Sequence, residues 1–320
     1  MNILVTGGAG YIGSHAVLKL IDAGHKVVVV DNLSNGNREA VHHLATFYRI
    51  DIHKTDHLVA ILCCHNVEAV MHFAASISVE ESVHDPLCYY HNNVTGTVSL
   101  LQAMKRSFVN RLVFSSSAAV YGHGSQVFLL DEYVNTQPLN PYGHSKRVVE
   151  QILQDMVEAN PAFGFIAFRY FNVAGRSSYL PIVEPVNPPT NLISSALAVA
   201  SGKREKITVF GSKYPTPDGT AIRDYIHVDD IAAAHVHSLD RLTVGTSEIY
   251  NLGMGRGYSV LEVIGAVEKV TDKEIRVEYG KERKGDIAHI RADTSKACRE
   301  LNWCPQYRDI ESIIASTWRG

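Results

Sequence analysis

An α/β fold is predicted for this chain of 320 residues: a doubly wound parallel sheet with a smaller C-terminal α/β lobe. Three observations carry the prediction. Short, continuous β-branched runs, the pattern of strands buried on both faces, alternate with amphipathic helical segments through the first half. A glycine-rich stretch, Gly7-Gly-Ala-Gly10-Tyr-Ile-Gly13, joins the first such run to the first helix. After about Asn172 the texture changes, and Pro181, Pro185, Pro188, Pro189, Pro215 and Pro217 break the chain into loops and short elements.

Asn2–Thr6 reads as a short apolar strand, and the helix after the glycines runs to about Ala23. Lys26–Val30 is a second β-branched run, ending in Asp31-Asn32-Leu33-Ser34-Asn35-Gly36. Strand, glycine-rich turn, helix, strand and acid is the order of a dinucleotide-binding unit. The glycines let the backbone approach a pyrophosphate whose charge rests on the helix N-terminus. Asp31 can accept both hydroxyls of an adenosine ribose, and a 2′-phosphate would meet its carboxylate. No arginine follows until Arg38, so NAD is expected rather than NADP.

Strands are then expected at Tyr48–Asp51, Val67–Ala74, Arg111–Ser115 and Phe165–Arg169. Between them fall a helix to about Cys64, a long helical stretch from about Pro86 to Arg106, and a helix opened at Asn140-Pro141. Six buried strands alternating with helices imply a parallel sheet. Ligands of such sheets bind outside the carboxyl ends of the strands. Gly7–Gly13, Asp31, Asp51, Phe73–Ile77 and Ser115–Ser117 fall there and are expected to share one crevice. Asp229–Asp240 and Glu248–Leu252 read as a helix and strand returning to this sheet, while Tyr258–Val270, Ile275–Tyr279 and the C-terminal helices make the smaller lobe. The expected division is 1–175 plus about 224–255 for the NAD-binding part, and about 176–223 plus 256–320 for the other. With no flexible linker in the sequence, the two should pack firmly.

Composition excludes several classes. A formal charge of −3 gives no basic footprint for nucleic acid. No apolar run approaches the ~20 residues that span a bilayer, and the direct start into a strand, without a basic stretch and cleavage site, leads us to expect no signal peptide. The five cysteines lack metal-ligand spacing, and the 16 histidines are scattered or paired without partners, so no metal is expected. A cytoplasmic protein with reduced thiols is the reading.

Asn140-Pro-Tyr-Gly-His-Ser-Lys146 is the chemical centre of the sequence. Asn140 suits an N-cap and Pro141 the first helical position, which places Tyr142 and Lys146 on one face. Tyrosine, with a pKa of about 10, becomes a base near neutrality only when a cation stabilises its phenolate. A shift to ~7 takes roughly 4 kcal/mol. One lysine at ~5 Å supplies about 3 kcal/mol at an effective dielectric of ~20, and a helix N-terminus ~0.3–1 kcal/mol. An oxidised nicotinamide ring nearby would complete it.

These stretches occur in one order with His72–Ala75, Phe114–Gly122, Arg169–Asn172, Asn191-Leu192, Tyr214–Thr220, Arg223–Val228 and Arg283–Asp286. Together they resemble the extended short-chain dehydrogenase/reductase family over nearly the whole chain, and within it the members that epimerise UDP-hexoses at C4. The resemblance implies a Rossmann domain, a UDP-sugar-binding lobe, a tightly held NAD and a homodimer. It implies that Tyr142 takes the proton from the sugar 4′-hydroxyl, that Ser117 hydrogen-bonds that hydroxyl, and that Lys146 lowers the tyrosine pKa and holds the nicotinamide ribose. Gly7, Gly10, Tyr11, Ile12 and Gly13 would take the pyrophosphate, Asp31, Asn32, Leu33, Ser34, Asn35 and Gly36 the ribose, and Asp51 and Ile52 the adenine. Phe73, Ala74, Ala75, Ser76, Ile77, Asn93 and Phe171 would line the rest. The UDP-sugar would meet Asn172, Asn191, Leu192, Thr208, Val209, Phe210, Arg223, Arg283, Asp286 and Ile290. Arg223 and Arg283 suit a diphosphate as two fixed forks.

Two positions depart from the family pattern. Ile77 stands where many members carry a lysine that contacts the cofactor. Ile290 stands at the gate of the sugar pocket, where strict hexose enzymes have tyrosine and smaller residues leave room for an N-acetyl group. Activity on UDP-N-acetylglucosamine is therefore expected. Another family reaction, 4,6-dehydration or decarboxylation, would need an acid just after Ser117, where this chain has Ala118 and Ala119. A non-catalytic NAD-binding regulator is the other alternative; it would be expected to lose the tyrosine, the lysine or the diphosphate arginines.

Overall fold

The structure is a computed structural model that describes residues 1–122, 129–179, 191–282 and 286–318. In chain order the first elements are β1 (Asn2–Thr6), α1 (Tyr11–Asp22), β2 (Lys26–Asp31), β3 (Thr46–Arg49), α2 (Thr55–Cys64) and β4 (Ala69–His72). Next come α3 (Val79–His84), α4 (Pro86–Tyr89), a π-helical turn over Tyr90–Thr95, α5 (Gly96–Arg106) and β5 (Arg111–Ser117). The two-residue β6 (Leu129–Leu130), α6 (Pro141–Ala159), β7 (Gly164–Tyr170) and β8 (Asn172–Ala174) follow.

The second half holds α7 (Leu192–Ala200), β9 (Ile207–Phe210), β10 (Ile222–His227), α8 (Val228–Arg241) and β11 (Ser247–Leu252). It ends in β12 (Gly257–Ser259), α9 (Val260–Thr271), β13 (Val277–Gly280), β14 (His289–Ala292), α10 (Ser295–Glu300) and α11 (Ile310–Thr317).

Seven strands form one parallel sheet in the order β11-β7-β5-β4-β1-β2-β3. Alternation along each strand feeds two cores. Ile3, Val5, Val29, Met71, Val113 and Ile166 pack beneath α1 and α8. Leu4, Val28, Val30, Val70, Leu112, Phe114 and Phe165 face α2, α5 and α6. The central strands β1, β2 and β4 are buried on both faces and read as nearly continuous apolar runs, whereas the edge strands β3 and β11 carry polar residues. The strand order reverses between β1 and β4, so the crevice of the sheet opens at their carboxyl ends.

A second sheet runs β12-β10-β14-β6, with β8 on β10, and β9 pairs with β13. Its core gathers Ile193, Ala196, Val209, Tyr225, Val263, Val267 and Ile313 from α7, α9, α11, β9 and β10. A separate apolar cluster of Val120, Tyr121, Leu130, Phe171 and Ala292, with Ala118, Val134 and Ile290 against it, lies where the two sheets meet.

Several elements differ from expectation for local reasons. The expected strand Tyr48–Asp51 ends at Arg49, because the Asp51 carboxylate turns back to accept from His53 N at 2.9 Å. Val67–Ala74 shortens to Ala69–His72, although Phe73 N still donates to Thr6 O at 2.9 Å. The stretch Pro86–Arg106 is helical throughout, but its middle is a π turn. Helix α3, capped by Ser78, was not expected at all. Strand β5 extends to Ser117, two residues further than read.

Candidate active site

The cradle is made by close approach. Gly7 adopts φ +72°, and a Cβ there would lie 2.5 Å from Ala74 N, where the loop after β4 crosses. A Cβ on Gly13 would lie 2.2 Å from Gly7 O. Gly10, the N-cap of α1, has no side chain to cap the free N–H groups of the first turn. A helix N-terminus left open between glycines is built for a pyrophosphate. Tyr11 opens that helix, and its hydroxyl donates to Gly175 O at 2.5 Å, drawing the chain after β8 over the cradle.

Asp31 is oriented by its own backbone. One carboxylate oxygen accepts from Ala9 N at 3.0 Å and the other from Leu33 N at 2.8 Å, with Leu33 at φ +61°. Each oxygen keeps a lone pair for a ribose hydroxyl. Arg38 stacks 4.6 Å over the Phe47 ring. Asn32 donates to Asp51 at 3.0 Å. Burial would raise the Asp51 carboxyl, but bonds from His53 N, Asn32 and the His53 ring outweigh it and hold the pKa at about 2. Ile52 is buried beside it. A Cβ on Gly36 would lie 2.9 Å from Ala9 Cβ, so the loop of Asn32, Ser34, Asn35 and Gly36 closes against the cradle. These residues fit NAD.

The Phe73–Ile77 loop is held from the π turn. Asn93 accepts from Ser76 N at 2.8 Å and donates to Ser76 O at 3.0 Å and to Ser145 Oγ on α6 at 3.0 Å. Beneath it, Thr97 donates its single hydroxyl proton to Asn93 O at 2.6 Å. Thr97 must therefore accept from His72 Nε2 at 2.9 Å, leaving His72 Nδ1 to accept from Thr6 at 2.6 Å. Burial, then the Lys146 charge, pushes His72 down to about 3. Ile77 is 70% exposed, where a longer cation would reach outward.

At the end of β5 the structure brings Ser117, Tyr142 and Lys146 together. The Asn140 side chain accepts from Gly143 N at 2.9 Å and fixes the first turn of α6. Tyr142 shares a hydrogen bond with Ser117, whose Oγ also accepts from Ala119 N at 3.2 Å. Lys146 Nζ donates to Ser115 O at 2.7 Å and lies 5.0 Å over Phe114 and 6.0 Å from the Tyr142 ring centre. Burial pushes Lys146 down to about 7, opposed by Glu150. Burial raises Tyr142 above 10, opposed by the Ser117 bond. This differs from the sequence arithmetic: desolvation outweighs the help that Ser117 gives, so a phenolate here depends on a cation brought close to the ring.

The residues expected for the UDP-sugar lie across the crevice. Asn191 caps α7 through Ser194 N at 2.8 Å, with Leu192 next to it. Val209 is buried, Thr208 donates to Glu278 at 3.1 Å, and Phe210 is 38% exposed. Asn172 begins β8 and bonds Tyr225. Arg223 donates from Nη1 to the carbonyls of Ile222 and Ile287 at 2.9 and 2.5 Å, and from Nη2 to Asp286 at 2.5 Å. Asp286 and Arg223 are thus partners, which sequence could not show. Ile290 sits opposite Arg223 in the ladder and packs on the cluster that contains Phe171. Arg283 lies outside the described residues.

Ser145, His72, Thr97, Glu150 and Asp224 were missed as site-building residues. Ser145, His72 and Asp224 lie inside stretches that carry the resemblance, and Glu150 follows Lys146 by one helical spacing; Thr97 carried no readable signal. Asp224, 1% exposed, accepts from Met254 N, Gly255 N and Ala292 N at 2.8, 3.0 and 2.9 Å. Burial raises it to about 7 against those three bonds.

A sequence model described as the NAD dependent epimerase/dehydratase family matches residues 3–253. The UDP-glucose 4-epimerase of Erwinia amylovora is 45% identical, over 99% of this chain and 97% of its own. The crystal structure of a UDP-glucose-4-epimerase from Stenotrophomonas maltophila, with bound NAD and formylated UDP-arabinopyranose, is 41% identical with a TM-score of 0.94, over 99% and 97%. That of a Bifidobacterium longum UDP-glucose 4-epimerase in complex with NAD+ and UDP is 39% identical with a TM-score of 0.93, over the same shares.

Proposed function

The chain belongs to the NAD dependent epimerase/dehydratase family, and we propose that it interconverts UDP-glucose and UDP-galactose by inverting the sugar at C4. It is an isomerase, and its cofactor is NAD. The observation that carries this is Ser117, Tyr142 and Lys146 meeting beside a glycine cradle, in a chain 45% identical over its length to a UDP-glucose 4-epimerase.

NAD held by the glycine cradle and Asp31 would supply a reversible hydride acceptor for C4, with no net redox. Tyr142 Oη removes the 4-hydroxyl proton and gives it back after the keto sugar has turned. Ser117 Oγ, already bonded to Tyr142, bridges hydroxyl and phenol. Lys146, fixed by Ser115 O, keeps positive charge beneath the tyrosine. Three of the five N–H groups of Arg223 are occupied by Ile222, Ile287 and Asp286, leaving two for a phosphate oxygen. Arg283 is the second fork. Asn172, Asn191, Leu192, Thr208, Val209 and Phe210 receive the nucleotide, and the wall of Phe171 and Ile290 gives the turning sugar an apolar surface. The NAD-binding part is 1–175 plus about 224–255; the rest receives the UDP-sugar.

Incubation with UDP-galactose tests the activity, with UDP-glucose as product. Tyr142→Phe should lower kcat by at least ~100-fold while NAD remains bound; retention of turnover would refute the role of Tyr142. Because isoleucine fills less of the pocket than tyrosine, UDP-N-acetylglucosamine should also turn over, and Ile290→Tyr should abolish that activity while sparing UDP-glucose. No turnover of the N-acetyl sugar by the unmodified enzyme would sink this.

Among the described residues no helix is long and apolar enough to cross a membrane, and a cytoplasmic setting is our reading. A homodimer through α5 and α6 is our reading from the family resemblance. A monomeric mass by sedimentation would remove it.

A further inference from the structure

Helix α6 carries its polar residues beyond the tyrosine and lysine. Tyr142, Lys146 and Glu150 follow one another at intervals of four, on one face. Glu150 is completely buried, and both oxygens are engaged. Ser116 Oγ donates to Oε1 at 2.6 Å, Arg169 Nε to Oε1 at 3.0 Å, and Arg169 Nη2 to Oε2 at 2.8 Å. Arg169, on β7, is itself placed by Glu132 O at 3.3 Å and by the Tyr121 ring 4.7 Å away.

An ion pair this deep is a poor way to hold a fold together. Apolar residues of similar volume serve as well or better, whereas removing one partner is costly. What an apolar replacement lacks is a negative charge one helical turn from Lys146. The lysine's own bond is to the neutral carbonyl of Ser115. The titratable groups facing this region are Tyr142 and Glu150 on α6, His72 on β4, and Arg169 and Tyr170 on β7. Of these, among the described residues, Glu150 alone is a carboxylic acid, ionised near neutral pH.

We propose that Glu150 is a positioning residue for the epimerisation: its carboxylate sustains the charge of Lys146, and through Ser116 it sets the height of Ser117 under the substrate. The inference rests on the activity proposed above for its catalytic consequence. Ser116 directly precedes Ser117 in β5, and Ser115, the lysine's acceptor, directly precedes Ser116. One carboxylate therefore governs both neighbours of Tyr142.

The test uses the NAD-bound enzyme and three variants. Glu150→Gln leaves Arg169 without its partner, so Glu150→Gln/Arg169→Met removes the pair together and avoids an orphan charge. Ser116→Ala breaks one bond and leaves the charges in place. Two readouts are taken: the pH profile of kcat, and NMR titration of Lys146 in labelled protein, assigned by its loss in Lys146→Arg.

In Glu150→Gln the Lys146 midpoint and the alkaline limb of kcat should fall by about one pH unit or more, the size expected for a nearby buried charge. In the double variant, loss of the Arg169 cation partly offsets loss of the carboxylate, so both should fall in the same direction by less. Ser116→Ala should lower kcat several-fold without moving either midpoint. A double variant that folds and keeps both midpoints would overturn the proposal, because a structural role alone predicts that result. A midpoint shift with no change in the kcat limb would overturn it too. Absence of turnover in the unmodified enzyme would refute the activity instead, while the titration would still read the charge relation.

Discussion

Lys146 is held at a cost that its function explains. Its pKa of about 7 lies below the ordinary value of 10.5 because burial disfavours the ammonium. Between those values the unfolded chain binds the proton and the fold does not, so stability rises with pH from about 7 to 10.5. Below 7 the full penalty of a buried charge remains. Lys146→Met should therefore stabilise the cofactor-free protein at pH 7, by up to ~4 kcal/mol, and the gain should fade by pH 10. Urea unfolding at pH 7 and at pH 10 reads this. Equal stability of both proteins at pH 7 would mean that the lysine's burial costs nothing. The same variant should lose kcat, the usual exchange between a strained site and stability. Sequence placed Tyr142 and Lys146 on one face, because helical spacing is local. It could not weigh desolvation against charge, which depends on Phe114 and His72 arriving from other elements.

Among the elements, the π turn between α4 and α5 has the clearest purpose. A π turn widens the helix by one residue and commonly marks a functional site. Here it points Asn93 inward, where a single amide grips both the N–H and the carbonyl of Ser76. The loop beside the cofactor cradle is thereby pinned from a helix. Asn93→Ala should free that loop and weaken NAD binding by about tenfold, the value of one to two hydrogen bonds, with little change in Tyr142 chemistry once NAD is saturating. Isothermal titration of the cofactor-free protein with NAD checks it; an unchanged affinity would show that the loop is held by packing. Apolar periodicity read Pro86–Arg106 as one helix because the segments on either side of the π turn follow it without a break and each keep helical spacing. Val79–His84 escaped notice because only Ser82 of it is buried, so it shows no apolar stripe. The central strands β1, β2 and β4 were legible for the opposite reason, as burial on both faces leaves an almost unbroken apolar run. The short strands β6, β8, β12 and β14 were not, since two to four residues carry no period.

Across the whole molecule, the seam between cradle and C-terminal segment depends on two neutral histidines. Ser177 N donates to His15 Nε2 at 3.2 Å, so the proton of His15 is on Nδ1 and points to Tyr11 O at 2.8 Å. Asp229 N donates to His227 Nδ1 at 3.0 Å, so that ring donates from Nε2 to Ser316 Oγ at 2.9 Å. Ser316 also accepts from Arg176 N at 3.1 Å, and Tyr307 stacks on the His227 ring with centroids 3.6 Å apart. Protonating either ring replaces an acceptor with a donor facing a backbone N–H. Burial accordingly lowers His15 to about 4 and His227 to about 3. Both lie below the unfolded value near 6.5, so their share of stability is complete above pH 6.5 and lost as pH falls towards 4 and then 3. Each contributes a slope of about 1.4 kcal/mol per pH unit in its window. Asp229, whose carboxyl is raised by burial, acts against this by taking up a proton in the fold. Hydrogen exchange corrected for intrinsic rates should therefore quicken at 173–177 and 313–316 between pH 7 and 5, before β1 and β5 respond. The variant His15→Gln/His227→Asn keeps an acceptor oxygen for each N–H and cannot charge, so its seam should exchange at the same rate at both pH values. An equal acid response in that variant would place the sensitivity in the carboxylates instead, and the seam would then open for a reason other than its histidines.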